Sequence, residues 1–290
     1  MEQLLVNGVI YGSILVLPTI AFGFIFGVTT RFHFAMGVTY AWVGLITQEL
    51  TSDGIPFILA AICGIATGVI IGVAVEKLLY RPLVSKTRGS VFLQIFLTGW
   101  AFLLIGNSFG RMIWGSTGYI LNTGFVNHTI TLGKARLSSN DVLIVAIVWV
   151  FVVLTALFIK HTTLGRSIAA VRANFNMSQV VGIDPDRTYT IVFALFSFLA
   201  AVAGLLHVIK FLVVPDAGDQ PVNYAFVSVF IAGTASGVFR FALSGFLIGI
   251  IANICTYHLD VKFSPVFVFG ILFLFVALLP YLRKIKPGVF

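Results

Sequence analysis

The sequence predicts an all-α, polytopic membrane protein, and both its composition and its hydrophobic pattern indicate this fold class. Hydrophobic residues make up 59% of the 290 residues, charged residues only 10%, and the mean hydropathy is +1.06. A water-soluble domain carries roughly a quarter charged residues and does not expose so much apolar surface. The apolar residues also form long runs, and a helix needs about 20 of them to cross a bilayer. We therefore expect residues 1–290 to form a single transmembrane domain.

Several apolar segments are candidates for crossing the membrane. They cover residues 4–28, 34–50, 55–79, 91–113, 142–159, 188–213, 222–238, 241–257 and 263–282. The second, seventh and eighth segments are short, and short segments interrupted by glycine are also typical of re-entrant or broken helices in transporters. We therefore expect about eight or nine transmembrane or re-entrant segments.

The positions of Lys and Arg orient these segments in the membrane. If the N-terminus lies outside, most of the 18 basic residues fall in the inner connections, as the positive-inside rule requires. Arg31 follows the first segment and is then a simple anchor at its inner end. The net charge of +8 indicates a cytoplasmic face that meets anionic membrane lipid, and it does not indicate a nucleic acid partner.

The sequence contains no motif typical of catalysis or of metal binding. It has no phosphate-binding loop, no zinc-protease motif, no hydrolase elbow and no Cys-x-x-Cys pair. Cys63 and Cys255 both lie within predicted membrane segments and suggest neither a disulfide nor a metal site. Ionisable groups are also scarce inside the segments, whereas ion-driven pumps need them. We therefore expect a chain that is not an enzyme, holds no metal or cofactor, and draws its energy from another protein.

Residues 162–183 form the longest inner connection and have the pattern of an amphipathic helix. Apolar side chains recur at Leu164, Ile168, Val171 and Phe175, which places them on one helical face. A helix of this kind either lies on the lipid surface, packs within the protein or docks a soluble subunit.

The ends of this inner helix are marked by capping residues. Thr162 or Thr163 is expected to cap its start, and Gly182 is expected to end it in a left-handed conformation. Asp184, followed by Pro185, is expected to cap the next membrane segment. Such short, defined connections favour a docking role, because a clamped helix passes a push directly into the two segments that carry it.

Two inner stretches resemble motifs of one transporter family. The stretch "LGRSIAAVRANFNMSQVVGID", residues 164–184, resembles the cytoplasmic coupling motif of permease subunits of ATP-binding-cassette importers of the branched-chain amino acid (hydrophobic amino acid and amide) family. The stretch "EKLLYRPL", residues 76–83, is similar to the family's Glu-x-x-x-Tyr-Arg-Pro-Leu motif, and the final "PGVF", residues 287–290, is also similar. The matching residues are Glu76, Tyr80, Arg81 and Pro82 in the inner-loop motif and Gly165, Arg166, Asn174, Gly182 and Ile183 in the coupling motif.

The resemblance implies a permease subunit that forms the path of a small solute through a bacterial or archaeal cytoplasmic (inner) membrane. Branched-chain or other hydrophobic amino acids, related amides or urea are the expected solutes. The implied partners are two cytosolic subunits that bind ATP and Mg²⁺, a second permease subunit, homologous or identical, and an extracytoplasmic solute-binding protein. Leu164, Ile168 and Val171 would face a hydrophobic groove of the ATPase, and Arg166 would meet carboxylates or helix C-termini there. The alternative is a self-sufficient secondary transporter or channel for a small organic solute.

The candidate solute path combines two family motifs with polar residues of the membrane segments. "HFAMG", residues 33–37, and "AGTASGVFRFALSG", residues 232–245, correspond to motifs expected near the path and depart from both. The candidate path residues are His33, Phe34, Met36, Gln94, Thr98, Asn107, Gly233, Ser236 and Asn253. "RFHFAMG", residues 31–37, and "FRFALSG", residues 239–245, also resemble each other, which predicts a pseudo-symmetric pair around a central path.

Two outer connections, residues 114–140 and 215–221, are expected to receive the binding protein. The first is long for a connection, which is typical of functional loops. Asp216 and Asp219 in the second are expected to form ion pairs with Lys or Arg of that partner.

Overall fold

The computed structural model describes residues 2–86, 91–121, 128–132, 135–258 and 264–285, and nearly all of them are helical. The helices are α1 (Glu2–Thr29), α2 (Met36–Ser52), α3 (Phe57–Ala74), α4 (Arg81–Lys86), α5 (Val91–Trp114), α6 (Ser139–His161), α7 (Thr163–Ala173), α8 (Phe175–Val180), α9 (Pro185–Lys210), α10 (Asp219–Ala232), α11 (Val238–His258) and α12 (Ser264–Ile285). A π-helical turn, Val75–Tyr80, joins α3 to α4. The strands β1 (Thr129–Leu132) and β2 (Ala135–Ser138) pair antiparallel, with Ile130 opposite Leu137. The all-α polytopic fold is confirmed, while the predicted "PGVF" motif lies outside the described residues.

Six helical stretches of the described chain are long and apolar enough to cross a membrane. They are Glu2–Thr29, Phe57–Val84, Val91–Trp114, Ser139–His161, Pro185–Lys210 and Val238–Tyr257. The helices α2 and α10 have only 17 and 14 residues, which makes them about 25 and 21 Å long at 1.5 Å per residue. The second and seventh predicted segments are therefore short, as expected. The eighth is not, because it forms the 21-residue α11.

The helices alternate in direction, and this gathers most basic residues at one end of the bundle. Arg31, Arg81, Lys160 and Arg172 lie at or beyond the ends of α1, α3, α6 and α7 on this side, which we call the basic end. Glu49 and other acidic residues lie at the opposite end. The positive-inside rule assigns the basic end to the cytoplasm.

Helices α1–α3 and α9–α11 have the same construction and run in opposite directions. Each group contains a long helix, an irregular segment, a half-length helix and a second long helix. Helix α1 packs most extensively against α11, and α9 packs against α3, so the long helices of each group pack against those of the other. The backbones of α1 and α11 touch at Gly12 and Gly249, where small residues permit close approach. Inverted groups with broken helices are typical of transporters.

Candidate functional site

The two half-length helices begin next to each other in the middle of the bundle. Helix α2 follows the irregular segment 30–35, which enters from the basic end, and α10 follows segment 211–218, which enters from the opposite end. Their starts meet at Gly37 and Gly218, and a Cβ on Gly218 would overlap the Gly37 carbonyl. A Cβ on Gly37 would lie 2.6 Å from the side chain of Leu103, which is about halfway along α5. The junction is therefore central, and it has no room for a side chain at Gly218.

An acidic side chain lies beside this junction. Helix N-termini carry positive partial charge, so two of them placed together repel each other unless an anion is near. Asp219 is the first residue of α10, and its carboxylate accepts a 2.7 Å hydrogen bond from Nδ2 of Asn107 on α5. Asn107 is buried, and its Oδ1 has no hydrogen-bond partner within the described chain. We conclude that Asp219 stabilises the start of α10 and fixes it against α5.

Aromatic side chains surround the irregular segment that precedes α2. The ring centroid of Phe34 lies 5.1 Å from that of Trp100, 5.3 Å from Phe96, and 5.6 Å from both Phe22 and Phe226. These contacts join α1, α5 and α10 around the segment. The interior is therefore filled by side chains at this level, which leaves the segment well fixed.

The His33 side chain lies in the same aromatic environment. It is 1% exposed, and its ring lies 4.9 Å from Phe193 and 5.9 Å from Tyr80. Neither ring nitrogen has a hydrogen-bond partner in the described part of the chain. Met36, at the start of α2, is also completely buried. His33, Phe34 and Met36 are thus packed in the interior, and a solute would reach them only if neighbouring side chains moved.

The inner-loop motif residues form an ion cluster at the basic end. Glu76, on the π-helical turn, is completely buried and lies 3.3 Å from Nη1 of Arg31 and 3.2 Å from Arg81. The Arg31 guanidinium also lies 5.0 Å from the ring centre of Tyr189 on α9. Arg31 itself is only 5% exposed. Arg31 lies at the inner end of α1, as predicted, and it is in addition half of a buried ion pair, which the sequence did not indicate.

Further bonds of this motif tie three parts of the chain together. The Tyr80 hydroxyl donates to the Phe32 carbonyl at 3.1 Å, and Nη2 of Arg81 donates to the Asp186 carbonyl at 2.9 Å. Pro82 is the second residue of α4, directly after the π-helical turn, and it has no N–H for a regular helical bond there. The motif therefore links the segment before α2 and the start of α9 to the end of α3.

The inner connection forms two helices where one was predicted. Oγ1 of Thr162 accepts a 2.9 Å hydrogen bond from the Gly165 N–H, which confirms the predicted N-cap of α7. The break occurs at Asn174, which takes an extended conformation, and its side chain caps α8 by accepting from the Met177 N–H at 3.0 Å. Asn is a strong N-cap residue for this reason.

The connection from α8 to α9 has the conformation that the sequence predicts. Gly182 has a φ of +81°, in the left-handed region that favours glycine. Oδ1 of Asp184 accepts a 2.9 Å hydrogen bond from the Asp186 N–H, and Pro185 is the first residue of α9. Ile183 packs against the hydrophobic core. The inner helices are thus clamped to α6 and α9 by short, capped connections.

The apolar face of α7 points into the protein and not toward a partner. Ile168 is 1% and Val171 3% exposed, and both belong to the hydrophobic core. Gly165 is buried against the backbone of Ile159. The prediction that Ile168 and Val171 face an ATPase groove is therefore wrong, because the periodicity of an amphipathic helix does not specify what covers its apolar face. Leu164 and Arg166 are exposed.

In contrast to the buried face of α7, the short helix α8 and the turn after it carry an apolar surface that is exposed at the basic end. Met177, Val180 and Val181 of α8 and the turn after it are 63%, 79% and 71% exposed, and Phe175 is also exposed. We call these four residues the α8 patch. The sequence pattern indicated only Phe175 among them, because α8 has six residues and is too short to show a helical periodicity of its own.

The remaining path candidates are not brought together. Gln94 and Thr98 lie half-exposed on α5, whereas Gly233 ends α10 at the basic end with a φ of +87°. The Ser236 hydroxyl donates to the Ala232 carbonyl there. Nδ2 of Asn253 donates to the Leu4 carbonyl at 3.1 Å, at the opposite end of the bundle.

The predicted pseudo-symmetric pair is also wrong. Residues 31–37 form the segment before α2 and its first turn, whereas residues 239–245 lie inside the regular helix α11. The positional counterpart of segment 30–35 is segment 211–218, which shares no sequence pattern with it. The fold does contain an inverted pair of groups, but the sequence similarity indicated the wrong partner.

At the opposite end the two outer aspartates have different surroundings. Asp216 lies 3.9 Å from Arg111, and both side chains are about half-exposed. Asp219 lies instead beside the central junction, where its carboxylate already accepts a hydrogen bond from Asn107, so its predicted ion pair with the binding protein stays a prediction. The connection after α5 and the segment after α9 meet at Tyr119 and Val213, which exchange backbone hydrogen bonds of 3.0 and 2.9 Å.

Metal-binding side chains are not clustered in the part of the chain that the structure describes. No three His, Cys, Asp or Glu residues come together there as ligands. Cys63 and Cys255 are free thiols.

Comparison with known proteins relates the chain to transport permeases. Its sequence matches the family model described as "Branched-chain amino acid transport system / permease component" over residues 4–277. The high-affinity branched-chain amino acid transport system permease protein LivH of Salmonella typhimurium is 26% identical, over 96% of this chain and 93% of that protein. BraD of Pseudomonas aeruginosa, a permease protein of the same kind of system, is 25% identical over 96% and 94%. The fructose import permease protein FruF of Bifidobacterium longum is 27% identical over 82% and 67%.

These relatives are transport permease components and not enzymes, in agreement with the absence of catalytic motifs in the sequence. The apolar helices give a multi-pass membrane protein, as this family requires. Because the family match spans almost all of the 290 residues, the chain belongs to the family of branched-chain amino acid transport system permease components.

Proposed function

We propose that the chain forms the membrane path for a small solute in an ATP-driven importer of a bacterial or archaeal cytoplasmic membrane. Separate ATP-binding subunits, which hold ATP and Mg²⁺, dock at the basic end, and a solute-binding protein docks at the opposite end. The observation that carries this proposal is the exposed α8 patch on a pair of helices clamped between α6 and α9. An exposed apolar surface of this kind is typical of a protein or membrane interaction site, and the capped ends of the two inner helices favour a protein partner, because they would pass a displacement into α6 and α9.

A charge reversal on the inner helices tests the coupling role. We expect Arg166→Glu to lower solute uptake at least tenfold in the reconstituted importer, because Arg166 is exposed on α7, in the same clamped connection as the α8 patch, and would meet acidic groups of the ATPase. Val180→Asp, which places a charge in the α8 patch, should reduce co-purification of the ATPase. The matched control is Lys77→Glu, a reversal at another exposed basic side chain of the basic end. Normal coupled uptake in Arg166→Glu would overturn the docking assignment.

The solute path is proposed to follow α5. Gln94, Thr98 and Ser108 lie on one helical face of α5, and Thr98 is half-exposed and Ser108 exposed in this single chain. Polar side chains on the outer face of a membrane helix indicate a water-filled or protein-covered surface and not lipid. A second permease subunit, homologous or identical, would close the path along this face.

Thiol labelling tests this position. In a chain with Cys63→Ala and Cys255→Ala, we expect Ser108→Cys to react with a membrane-impermeant thiol reagent and to be protected when the loaded binding protein and ATP are present. Ile62→Cys, on the exposed side of α3 at a similar distance from the outer end, should react at least tenfold more slowly, because lipid covers it. Equal labelling of both positions would refute the proposed path.

The solute is proposed to be a branched-chain or other hydrophobic amino acid, or a related amide or urea. The support is the family match and the relatives LivH and BraD, whereas FruF keeps sugars as the second candidate. Uptake of radiolabelled leucine and of fructose by vesicles that contain the complete importer separates the two. Uptake of fructose without leucine would exclude the amino acid assignment and leave the permease role intact.

A further inference from the structure

A deep groove opens beside α7 at the basic end of the bundle. It has a volume of about 650 Å³ and lies between α6, α7 and the start of α11, within the range of about 300–1,000 Å³ for sites of bound small molecules. Its walls are largely apolar and include Val153, Ala156 and Leu157 of α6, Ala169 of α7, and Phe239 of α11.

Two basic side chains line this groove, and none of its described lining residues is acidic. They are Lys160 in the last turn of α6 and Arg172 in the last turn of α7. Nη2 of Arg172 donates to the carbonyls of Thr234 and Ser236, at 2.9 Å each. The guanidinium lies 5.4 Å from the ring centre of Phe24. Arg172 is thus a fixed cation, and Nη1 and Nε carry further donors beyond these two bonds.

Burial lowers the pKa of Arg172 from its ordinary value. Arginine nevertheless keeps its proton at any physiological pH, so the groove holds a permanent positive charge at its basic end.

The charges and the apolar walls occupy different depths. Val153 precedes Lys160 by two helical turns, which places it about 10 Å further from the basic end at 1.5 Å per residue. The exposed side of α6 at this level is aliphatic and includes Val150 and Leu154. The groove therefore has its cations at the membrane surface and its apolar walls in the hydrocarbon of the same leaflet.

We propose that this groove binds one anionic phospholipid of the inner leaflet. Its phosphate contacts Lys160 and Arg172, and an acyl chain lies between α6 and α11 against Phe239. Basic sites between membrane helices on the cytoplasmic side suit anionic headgroups, whereas a second membrane helix would have to bring a carboxylate to this depth to match the two cations. The lipid joins α6, α7 and α11, so the position of α7 depends on the lipid composition of the membrane.

Lipid retention by the purified complex tests the charge. The full chain is isolated with its partner subunits in mild detergent, titrated with phosphatidylglycerol or phosphatidylcholine, and analysed by native mass spectrometry. We expect the parent complex to retain one phosphatidylglycerol per groove and Lys160→Gln to bind it about fivefold more weakly, which corresponds to about 1 kcal/mol for one basic residue near an anionic surface. Lys77→Gln, at an exposed lysine outside the groove, is the matched control and should bind like the parent.

A photo-crosslinking residue in place of Phe239 identifies the occupant directly. Crosslinks to phospholipid support the proposal, and a bulky change in the groove, Ala169→Phe, should abolish them. Crosslinks to another protein chain would overturn it, and so would equal phosphatidylglycerol retention by the parent, Lys160→Gln and Ala169→Phe complexes. Neither measurement depends on transport activity, so the test of the lipid site is independent of the proposed solute.

Discussion

Replacement of Glu76 by glutamine would remove the only acidic side chain that the structure shows in direct contact with Arg31. Glutamine keeps the size and hydrogen-bonding capacity of the side chain, so Glu76→Gln isolates the effect of charge. In the parent, Glu76 offsets one of the two cations, Arg31 and Arg81. After the change both guanidinium groups would remain beside a neutral amide, and Arg31 is only 5% exposed.

The structure sets the magnitude of the effect. At 3.3 Å and an effective dielectric constant of about 20, the Coulomb attraction between Arg31 and Glu76 is about 5 kcal/mol. Removal of one partner of a buried ion pair is observed to cost about 3–5 kcal/mol, because the other charge is left uncompensated. The Arg81 side chain is 36% exposed and stays partly hydrated, so we assign most of the loss to Arg31.

Thermal denaturation of the purified complex in detergent measures this loss. The folded fraction that remains after heating is followed by size-exclusion chromatography, and each kcal/mol lowers the midpoint by about 1.6 °C in a chain of 290 residues. We expect Glu76→Gln to lower the midpoint by at least roughly 5 °C, from the lower bound of about 3 kcal/mol. Asp216→Asn is the control, because its 3.9 Å pair with Arg111 is exposed and is worth at most about 1 kcal/mol.

A double substitution decides whether the two side chains act together. Arg31→Met removes the uncompensated cation, so the combination with Glu76→Gln should lose less stability than the two single changes added together. The reasoning would be refuted if Glu76→Gln stayed within 2 °C of Asp216→Asn, or if the two changes were strictly additive.

Three further changes test other contacts, all by the same thermal midpoint. Gly218→Ala should lose about 1–3 kcal/mol through overpacking, because the new Cβ meets the Gly37 carbonyl; Gly237→Ala has open space and should stay near the parent. Asp184→Ala removes the N-cap of α9 and should cost about 1 kcal/mol, so an unchanged midpoint would mean that the cap is not needed. Asp219→Asn removes the charge at the start of α10 and should cost about 0.3–2 kcal/mol, with a smaller loss at high salt if the site is accessible to ions.

Much of the fold follows from local sequence signals. Composition and run lengths predict membrane helices because the bilayer imposes one length scale. Thr162, Gly182 and Asp184 mark helix ends correctly, since a cap depends on a few neighbouring atoms. The motif residues Glu76, Tyr80 and Arg81 also meet, although the motif alone does not reveal that Arg31 completes the cluster. The positive-inside rule counts charges in connections and contains no information about their partners.

The central junction was not predictable from these signals. Segments 30–35 and 211–218 occupy equivalent places in the two inverted groups, yet one is aromatic and the other ends in a turn before Gly218. The two segments are equivalent because of how they pack against α5 and α9 in three dimensions. The spacing of apolar residues in the sequence contains no information about that packing. The face of α7 was misassigned for a similar reason, because Ile168 and Val171 have the same spacing whether the chain itself or a partner covers them.

The arrangement of α2 and α10 also determines how this region responds to voltage. Across the whole membrane, a potential of about 100 mV acts on one elementary charge with about 2.3 kcal/mol, and each half-length helix carries about half a charge at either end. Because α2 and α10 start at the same point and run to opposite ends, their electrical work has opposite sign and largely cancels when the pair moves as a unit. The dipoles of these two helices therefore contribute little to voltage sensitivity when the pair moves as a unit, and the charge at the centre on which the membrane potential acts is the carboxylate of Asp219.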